Sequence, residues 1–150
     1  MPFAVSSPAF SNGAEIPRRH TCDGENRPPL LTWRDPPTGT RSFVLIVDDP
    51  DAPSGTFTHW VLFDIPGGLT ELSEAATGVG LNGRNDFGKD GYGGPCPPKG
   101  HGPHRYFFKL SALDVETLGL PDGTSRSRVG AAMKGHSLAT AQLAGRYERQ

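Results

Sequence analysis

The sequence predicts a mainly β protein, an antiparallel two-sheet β-sandwich with one or two short peripheral helices. Three long runs of β-branched and aromatic residues, at 41–47, 57–65 and 104–110, are bounded by turn-forming residues, as buried strands are. Glycine and proline supply 20 and 15 of the 150 residues without a repeat period, which indicates many turns that join short strands. Residues 125–134 carry the start signal, apolar spacing and glycine stop of one short helix.

The remaining elements are predicted from shorter patterns. Residues 3–7 and 30–34 are weaker strand candidates. Residues 71–76 have helical character, but the glycines that follow interrupt the pattern, so we expect a loop there. Apolar and polar residues alternate from 139 to 147, which predicts a C-terminal strand.

The length and composition predict a single domain over residues 1–150. A chain of this length buries roughly 68–70% of its unfolded surface, which is enough for a core of its own. No proline- or serine-rich linker separates two compositionally distinct halves. We therefore expect all the strands to close around one core.

The charge balance excludes several classes of partner. With 15 basic and 16 acidic residues the net charge is -1, which gives no electrostatic basis for binding nucleic acid or an anionic membrane surface. No run approaches the roughly 20 apolar residues of a transmembrane segment. The first residues lack the basic and apolar regions of a secretory signal, so we expect a cytoplasmic protein. An anion would have to be held by a local pocket.

The two cysteines, Cys22 and Cys96, lie far apart in the sequence and lack the spacing of metal ligands. The sequence favours two reduced thiols. A disulfide bond and a reactive thiol remain open alternatives.

A group of carboxylates, Asp48, Asp49 and Asp51, follows the first long strand. Crowded carboxylates raise one another's pKa unless other groups satisfy them. Pro50 and Pro53 predict a rigid turn and leave room for a cis bond at one Asp-Pro or Ala-Pro junction. Taken alone, the motif fits a solvated turn equally well. A calcium loop does not fit, because proline and serine occupy a ligand position and the glycine position.

Two histidines and a tyrosine are the other candidates. His59 lies within an apolar strand, where a buried histidine is commonly a core residue, and strict alternation places Trp60 on the opposite face. The glycine- and proline-rich residues 91–103 form either a plain connecting loop or one whose N–H groups approach a ligand. The loop delivers His104 and Tyr106 to one face of a strand. Imidazole and phenol donors, with an aspartate that orients the imidazole, suit a phosphate-like anion.

Motifs for catalysis are missing from the sequence. It has no G-x-S-x-G elbow, no H-E-x-x-H motif and no phosphate-binding or dinucleotide-binding glycine loop. We therefore expect a non-catalytic binding protein without a metal or other cofactor. A hydrolase that uses His104 or Cys96 is the alternative, although a cysteine between prolines has no helix N-terminus to activate it.

Six short segments together resemble the phosphatidylethanolamine-binding protein (PEBP) family, specifically its bacterial and archaeal branch, often described as Raf kinase inhibitor-like. They are I-P with T-C-D-G-E-N at 16–26, D-P-D-A-P at 49–53, H-W at 59–60, N-D-F-G at 85–88, G-P-C-P-P at 94–98, and H-R-Y leading to A-L-D at 104–114. The match runs along nearly the whole chain. Leu30 and Ser111 depart from the family pattern but are not pocket residues, so they bear on local packing rather than on binding.

The resemblance implies a two-sheet β fold with a pre-formed pocket for phosphate-like groups and phospholipid head groups. It assigns the pocket to four residues, with four more as walls or backbone contacts. They are Asp49, His59, His104 and Tyr106, with Asp51, Pro53, Cys96 and Pro97.

The resemblance leaves a third function open, a regulatory module that recognises a phosphorylated residue on a partner protein. Inhibition of a kinase is an analogy of name only. The chain ends at Gln150 without the helical extension of animal relatives. We therefore expect a more open pocket, or one covered by the second subunit of a homodimer.

Overall fold

Eight strands and one α-helix make up the computed structural model, which describes residues 2–75 and 78–150. The strands are β1 (Ala4–Ser6), β2 (Leu31–Arg34), β3 (Ser42–Asp49), β4 (Phe57–Pro66), β5 (Glu71–Leu72), β6 (Leu81–Asn82), β7 (His104–Leu113) and β8 (Ser137–Tyr147). The helix α1 spans Arg126–Met133, and a single 3-10 turn spans Arg18–His20.

The strands form two antiparallel sheets. The larger has the order β6-β4-β3-β7-β8 and the smaller β1-β2-β5. All eight residues of β3 are buried, because this strand lies at the centre of the larger sheet and is covered on both faces. The predicted mainly β fold of two antiparallel sheets with a peripheral helix is confirmed.

Two hydrophobic clusters cover the two faces of the larger sheet. Alternate residues of β3, among them Phe43, point between the sheets, where the Phe43 ring lies 5.3 Å from the ring of Trp33 in β2. The intervening residues, such as Val44, pack with Val129 of α1 in the smaller cluster. The continuous apolar pattern of β3 thus reflects burial on both sides.

Several elements differ in detail from the prediction. Ser125, one residue after the predicted start signal, caps α1 by accepting a hydrogen bond from the Arg128 N–H at 3.2 Å. The loop expected at 71–76 begins instead as β5, because Leu72 is buried and pairs with Leu31 of β2. The last residue of that predicted loop lies outside the described residues. None of the helices in the described part of the chain is long and apolar enough to span a bilayer.

Candidate functional site

A cavity of about 460 Å³ opens at the end of the larger sheet where β3 ends and where β4 and β7 begin. It gathers seven of the eight predicted site residues, namely Asp49, Pro53, His59, Cys96, Pro97, His104 and Tyr106. Asp51 does not line the cavity. The prediction missed Phe57, Asp86 and Phe87 in the lining, although the N-D-F-G segment at 85–88 was a signal for the last two.

Asp49 and His104 form a buried pair at the base of the cavity. The Asp49 Oδ2 atom lies 2.7 Å from Nδ1 of His104, and these side chains are only 4% and 2% exposed. The other carboxylate oxygen of Asp49 accepts the backbone N–H of Asp51 at 2.7 Å. Since both Asp49 oxygens are engaged by the protein, Asp49 orients the imidazole and fixes Nδ1 as its donor atom.

Asp51 binds Arg105 at the outside of this turn. Its carboxylate accepts hydrogen bonds from the backbone N–H of Arg105 at 2.9 Å and from the guanidinium at 2.8 and 2.9 Å. The guanidinium hydrogen bonds lower the pKa of Asp51 from 3.8 to about 2. Asp51 therefore fastens the turn to the start of β7. The peptide bonds of the described residues are all trans, so the turn does not use the cis bond that the sequence left open.

His59 reaches the cavity because β4 contains a β-bulge. Val47 pairs with Trp60 and Asp48 pairs with Thr58, so His59 is the additional residue. The bulge interrupts the alternation, and His59 packs on Tyr106 while Trp60 packs in the cluster between the sheets. The prediction that Trp60 points to the opposite face is wrong, because it assumed a regular strand.

One ring nitrogen of His59 is held by the glycine- and proline-rich loop. Its Nδ1 atom lies 2.7 Å from the carbonyl oxygen of Gly93, so Nδ1 carries the hydrogen. Burial lowers the pKa of His59 below its ordinary value of 6.5. The other nitrogen, Nε2, is an acceptor in the neutral ring and becomes a donor when the ring takes up a proton.

Tyr106 presents a buried hydroxyl without a protein partner. The residue is 1% exposed and lines the cavity, and its Oη atom has no hydrogen-bond partner among the described residues. Burial raises the pKa of Tyr106 well above its ordinary value, so the phenol keeps its proton. A buried hydroxyl left unsatisfied costs about 1–3 kcal/mol. The Tyr106 O–H is therefore a buried donor that no group in the described part of the chain uses.

Cys22 and Cys96 form a disulfide bond, and the prediction of two reduced thiols is wrong. Non-local hydrogen bonds bring the cysteines together, from the Cys22 N–H to the Pro95 carbonyl at 3.1 Å and from the Gly94 N–H to Asn26 Oδ1 at 2.8 Å. Their separation of 74 residues hides this proximity in the sequence. The bond removes the Cys96 thiol, one of the two groups that the hydrolase alternative could use, and leaves His104 as the other. A disulfide is typical of oxidising compartments, so a cytoplasmic location remains only a prediction.

Aromatic rings form the rim of the cavity. Phe87 is 43% exposed, and its ring centroid lies 4.8 Å from that of Phe57 and 5.3 Å from that of His59. The loop passes so close beneath Phe87 that a Cβ at position 93, now Gly93, would approach the ring to 2.3 Å. The cavity thus combines polar groups at its base with an apolar mouth.

His101 is a further residue that the prediction missed. It is exposed, yet its Nδ1 atom lies 2.7 Å from Nε2 of His104. Both ring nitrogens of His104 therefore have partners within the protein. The available signal was the pair of histidines three residues apart in H-G-P-H.

A larger cavity of about 750 Å³ lies on the opposite face of the same sheet, and Asp48 and Arg126 line it. Its buried carboxylate, Asp48, is satisfied by Nη2 of Arg126 at 2.7 Å and by the hydroxyl of Thr58 at 2.9 Å. None of the buried polar atoms that lack a partner in the described part of the chain belongs to its lining. By volume this cavity is the better candidate for a ligand site. The smaller cavity is the better candidate by its chemistry, because a buried polar group without a partner lies in its lining. Across residues 2–75 and 78–150, no cluster of side chains is arranged to hold a metal ion.

Comparison with known proteins agrees with the resemblance seen in the sequence. The family model described as "Phosphatidylethanolamine-binding protein" matches residues 6–148. A UPF0098 protein of Aquifex aeolicus is 57% identical, with 97% of this chain and 88% of that protein covered. The crystal structure of Escherichia coli YbcL, titled a new member of the mammalian PEBP family, has a TM-score of 0.93 at 37% identity and full coverage of both chains. A PEBP homologue from Chlamydia trachomatis has a TM-score of 0.91 at 37% identity, with 99% and 98% covered.

Proposed function

Because the chain belongs to the phosphatidylethanolamine-binding protein family, we propose that its smaller cavity binds a phosphate-like anion or the phosphorylated head group of a larger ligand. The observation that carries this proposal is the buried Tyr106 hydroxyl, a donor without a protein partner that lines the cavity. A volume of about 460 Å³ lies within the range of small-molecule sites and admits a phosphate together with an attached organic group.

Three groups would recognise the anion. The Tyr106 phenol donates its hydrogen, and Nε2 of His59 accepts one from a protonated phosphate oxygen or donates one when His59 is charged. His104, oriented by Asp49, would add a third imidazole or phenol contact once its Nε2 atom is free of His101. The rings of Phe57 and Phe87 at the mouth would pack against the organic part of a phospho-ligand.

The charges of the lining give the proposed binding a pH dependence. The carboxylates of Asp49 and Asp86 face the same cavity and repel an anion. Protonation of His59 offsets this repulsion, and burial places its pKa below 6.5 in the folded protein. Phosphate binding should therefore strengthen as the pH falls below 6.5 and fade as His59 loses its proton.

The experiment is a titration of the native protein with inorganic phosphate and with phosphoethanolamine in mildly acidic buffer, followed by NMR of the histidine rings. The signals of His59 and His104 should move, whereas those of His136, which is half-buried, lies outside the cavity and is paired with Asp114, should stay in place. Tyr106→Phe should weaken binding. Static signals, or equal movement of all five histidines of the chain, would contradict the proposal.

We propose that the protein binds without catalysis. The Cys96 thiol is used by the disulfide, and both ring nitrogens of His104 are engaged by Asp49 and His101. Turnover of an activated ester or phosphoester that disappears in His104→Ala would overturn this part. A phospholipid head group and a phosphorylated residue of a partner protein share the same chemistry. A competition experiment between phosphoethanolamine and a phosphopeptide shows which of the two the cavity prefers. The homodimer stays a prediction.

A further inference from the structure

The histidine pair at the edge of the cavity restricts what His104 can offer a ligand. Asp49 accepts a hydrogen from Nδ1 of His104, so in the neutral ring Nε2 has only a lone pair, which accepts the Nδ1–H of His101 at 2.7 Å. When Nε2 of His104 carries a hydrogen, the direction reverses and Nε2 donates to Nδ1 of His101. In both cases His101 occupies the nitrogen that an anion would need.

His101 differs from the Asp49–His104 pair in its exposure to solvent. It is exposed, whereas the Asp49 and His104 side chains are only 4% and 2% exposed. Its neighbours Gly100 and Gly102 have positive φ values of 75° and 90°, and a Cβ at either position would meet nothing within 4 Å. The loop is tied down at its base by the bond from the Gly100 N–H to the Arg149 carbonyl at 2.8 Å. The His101 ring can therefore leave without disturbing the buried pair.

We propose that His101 is a displaceable internal partner of His104, which competes with the ligand for Nε2 and so makes the site selective for anions. This inference rests on the proposed function. Hydrogen bonds to a charged acceptor are about twice as strong as neutral ones. An oxyanion can therefore replace His101, with the Nε2–H of charged His104 passing from His101 to an anionic oxygen. A neutral hydroxyl compound of the same size cannot.

The test measures the affinity for inorganic phosphate in the wild type, His101→Ala and His101→Asn. Loss of one competing hydrogen bond should tighten phosphate binding about 2- to 10-fold in His101→Ala. Asparagine keeps a polar group near the position of Nδ1, so His101→Asn should return toward the wild-type affinity. The preference for phosphate over a neutral alcohol should narrow in His101→Ala.

A second measurement reports on the contact itself. In ¹⁵N-labelled protein, scalar coupling across the hydrogen bond between His101 Nδ1 and His104 Nε2 should disappear as phosphate saturates the site. Coupling that persists at saturation, or weaker or unchanged affinity in His101→Ala, overturns the role of His101. If neither the wild type nor His101→Ala binds phosphate, the proposed function and this inference both fail. If phosphate binds but does not compete with His101 for Nε2 of His104, only the inference fails.

Discussion

The three tyrosines of the chain offer a direct test of whether the cavity holds an unused donor. The Tyr92 hydroxyl donates to the His20 carbonyl at 2.6 Å, and the Tyr147 hydroxyl donates to Asp23 Oδ2 at 2.6 Å. The Tyr106 hydroxyl has no such acceptor in the described part of the chain. Replacement of each tyrosine by phenylalanine removes one oxygen and leaves the ring in place. Tyr92→Phe and Tyr147→Phe should therefore destabilise the protein, whereas Tyr106→Phe should not.

The expected change in the free energy of unfolding depends on the hydrogen-bond acceptor of each hydroxyl. Tyr92→Phe removes a hydrogen bond between neutral groups and should lower the free energy of unfolding by about 1 kcal/mol. Tyr106→Phe removes a buried hydroxyl that gains nothing from the protein, so the free energy of unfolding should stay unchanged or rise by about 1 kcal/mol. Tyr147→Phe should destabilise, because Asp23 loses a donor.

The assay is urea unfolding followed by circular dichroism, with linear extrapolation and a check that the m-value is unchanged. In excess phosphate the order should change, since a ligand that binds only the folded state stabilises it, and the stabilisation grows with the logarithm of its affinity. The wild type should then gain more stability than Tyr106→Phe. We expect Tyr92→Phe to lower the free energy of unfolding by about 1 kcal/mol. If Tyr106→Phe lowers it by as much in the absence of ligand, the Tyr106 hydroxyl has a protein partner and the reasoning fails.

Three further predictions concern the surroundings of the cavity. The bond between Cys22 and Cys96 closes a loop of 74 residues, so its reduction should lower the free energy of unfolding by about 4 kcal/mol on the chain-entropy argument. Denaturant curves with and without reductant measure this difference. As a control, the Cys22→Ser/Cys96→Ser variant should not respond to reductant. The pKa of Asp51 is lowered in the folded protein, so its stabilising contribution is present above pH 3.8 and is lost as the pH falls toward about 2. In Asp51→Asn the unfolding midpoint should change less with pH across this range. The same change with pH in the wild type and in Asp51→Asn would refute the role of the Arg105 pair. Phe87→Ala should weaken the binding of an aryl phosphate more than that of inorganic phosphate, and equal losses by calorimetry would remove the rim from the site.

The parts of the fold that could be predicted are those decided by local patterns. β3 and β7 were predictable because their apolar runs end at turn residues, and His104 and Tyr106 share a face because they are two residues apart. β5 was not, since Leu72 forms a strand only through its pairing with Leu31 in a distant segment. Non-local pairing also decided the cysteine bond.

The site was predictable as a set of residues and less so in its geometry. Asp51 and Asp49 belong to one motif, but Arg105 draws Asp51 away from the cavity. The position of His59 depends on a bulge, which no alternation pattern announces. His101 gave little signal because its contact with His104 exists only after the loop has folded back on β7.

The two carboxylates that end β3 have different partners, and this difference bears on which cavity we propose as the ligand site. Asp48 and Asp49 are adjacent and buried, and they line cavities on opposite faces. Asp48 is paired with Arg126 and accepts the Thr58 hydroxyl, so its partners all lie within the protein. Asp49 contacts His104, His104 contacts His101, and His101 reaches the surface. Under the proposed function, the Asp49 network ends at an exposed histidine that an anion would replace, whereas the Asp48 network links α1 to the sheet.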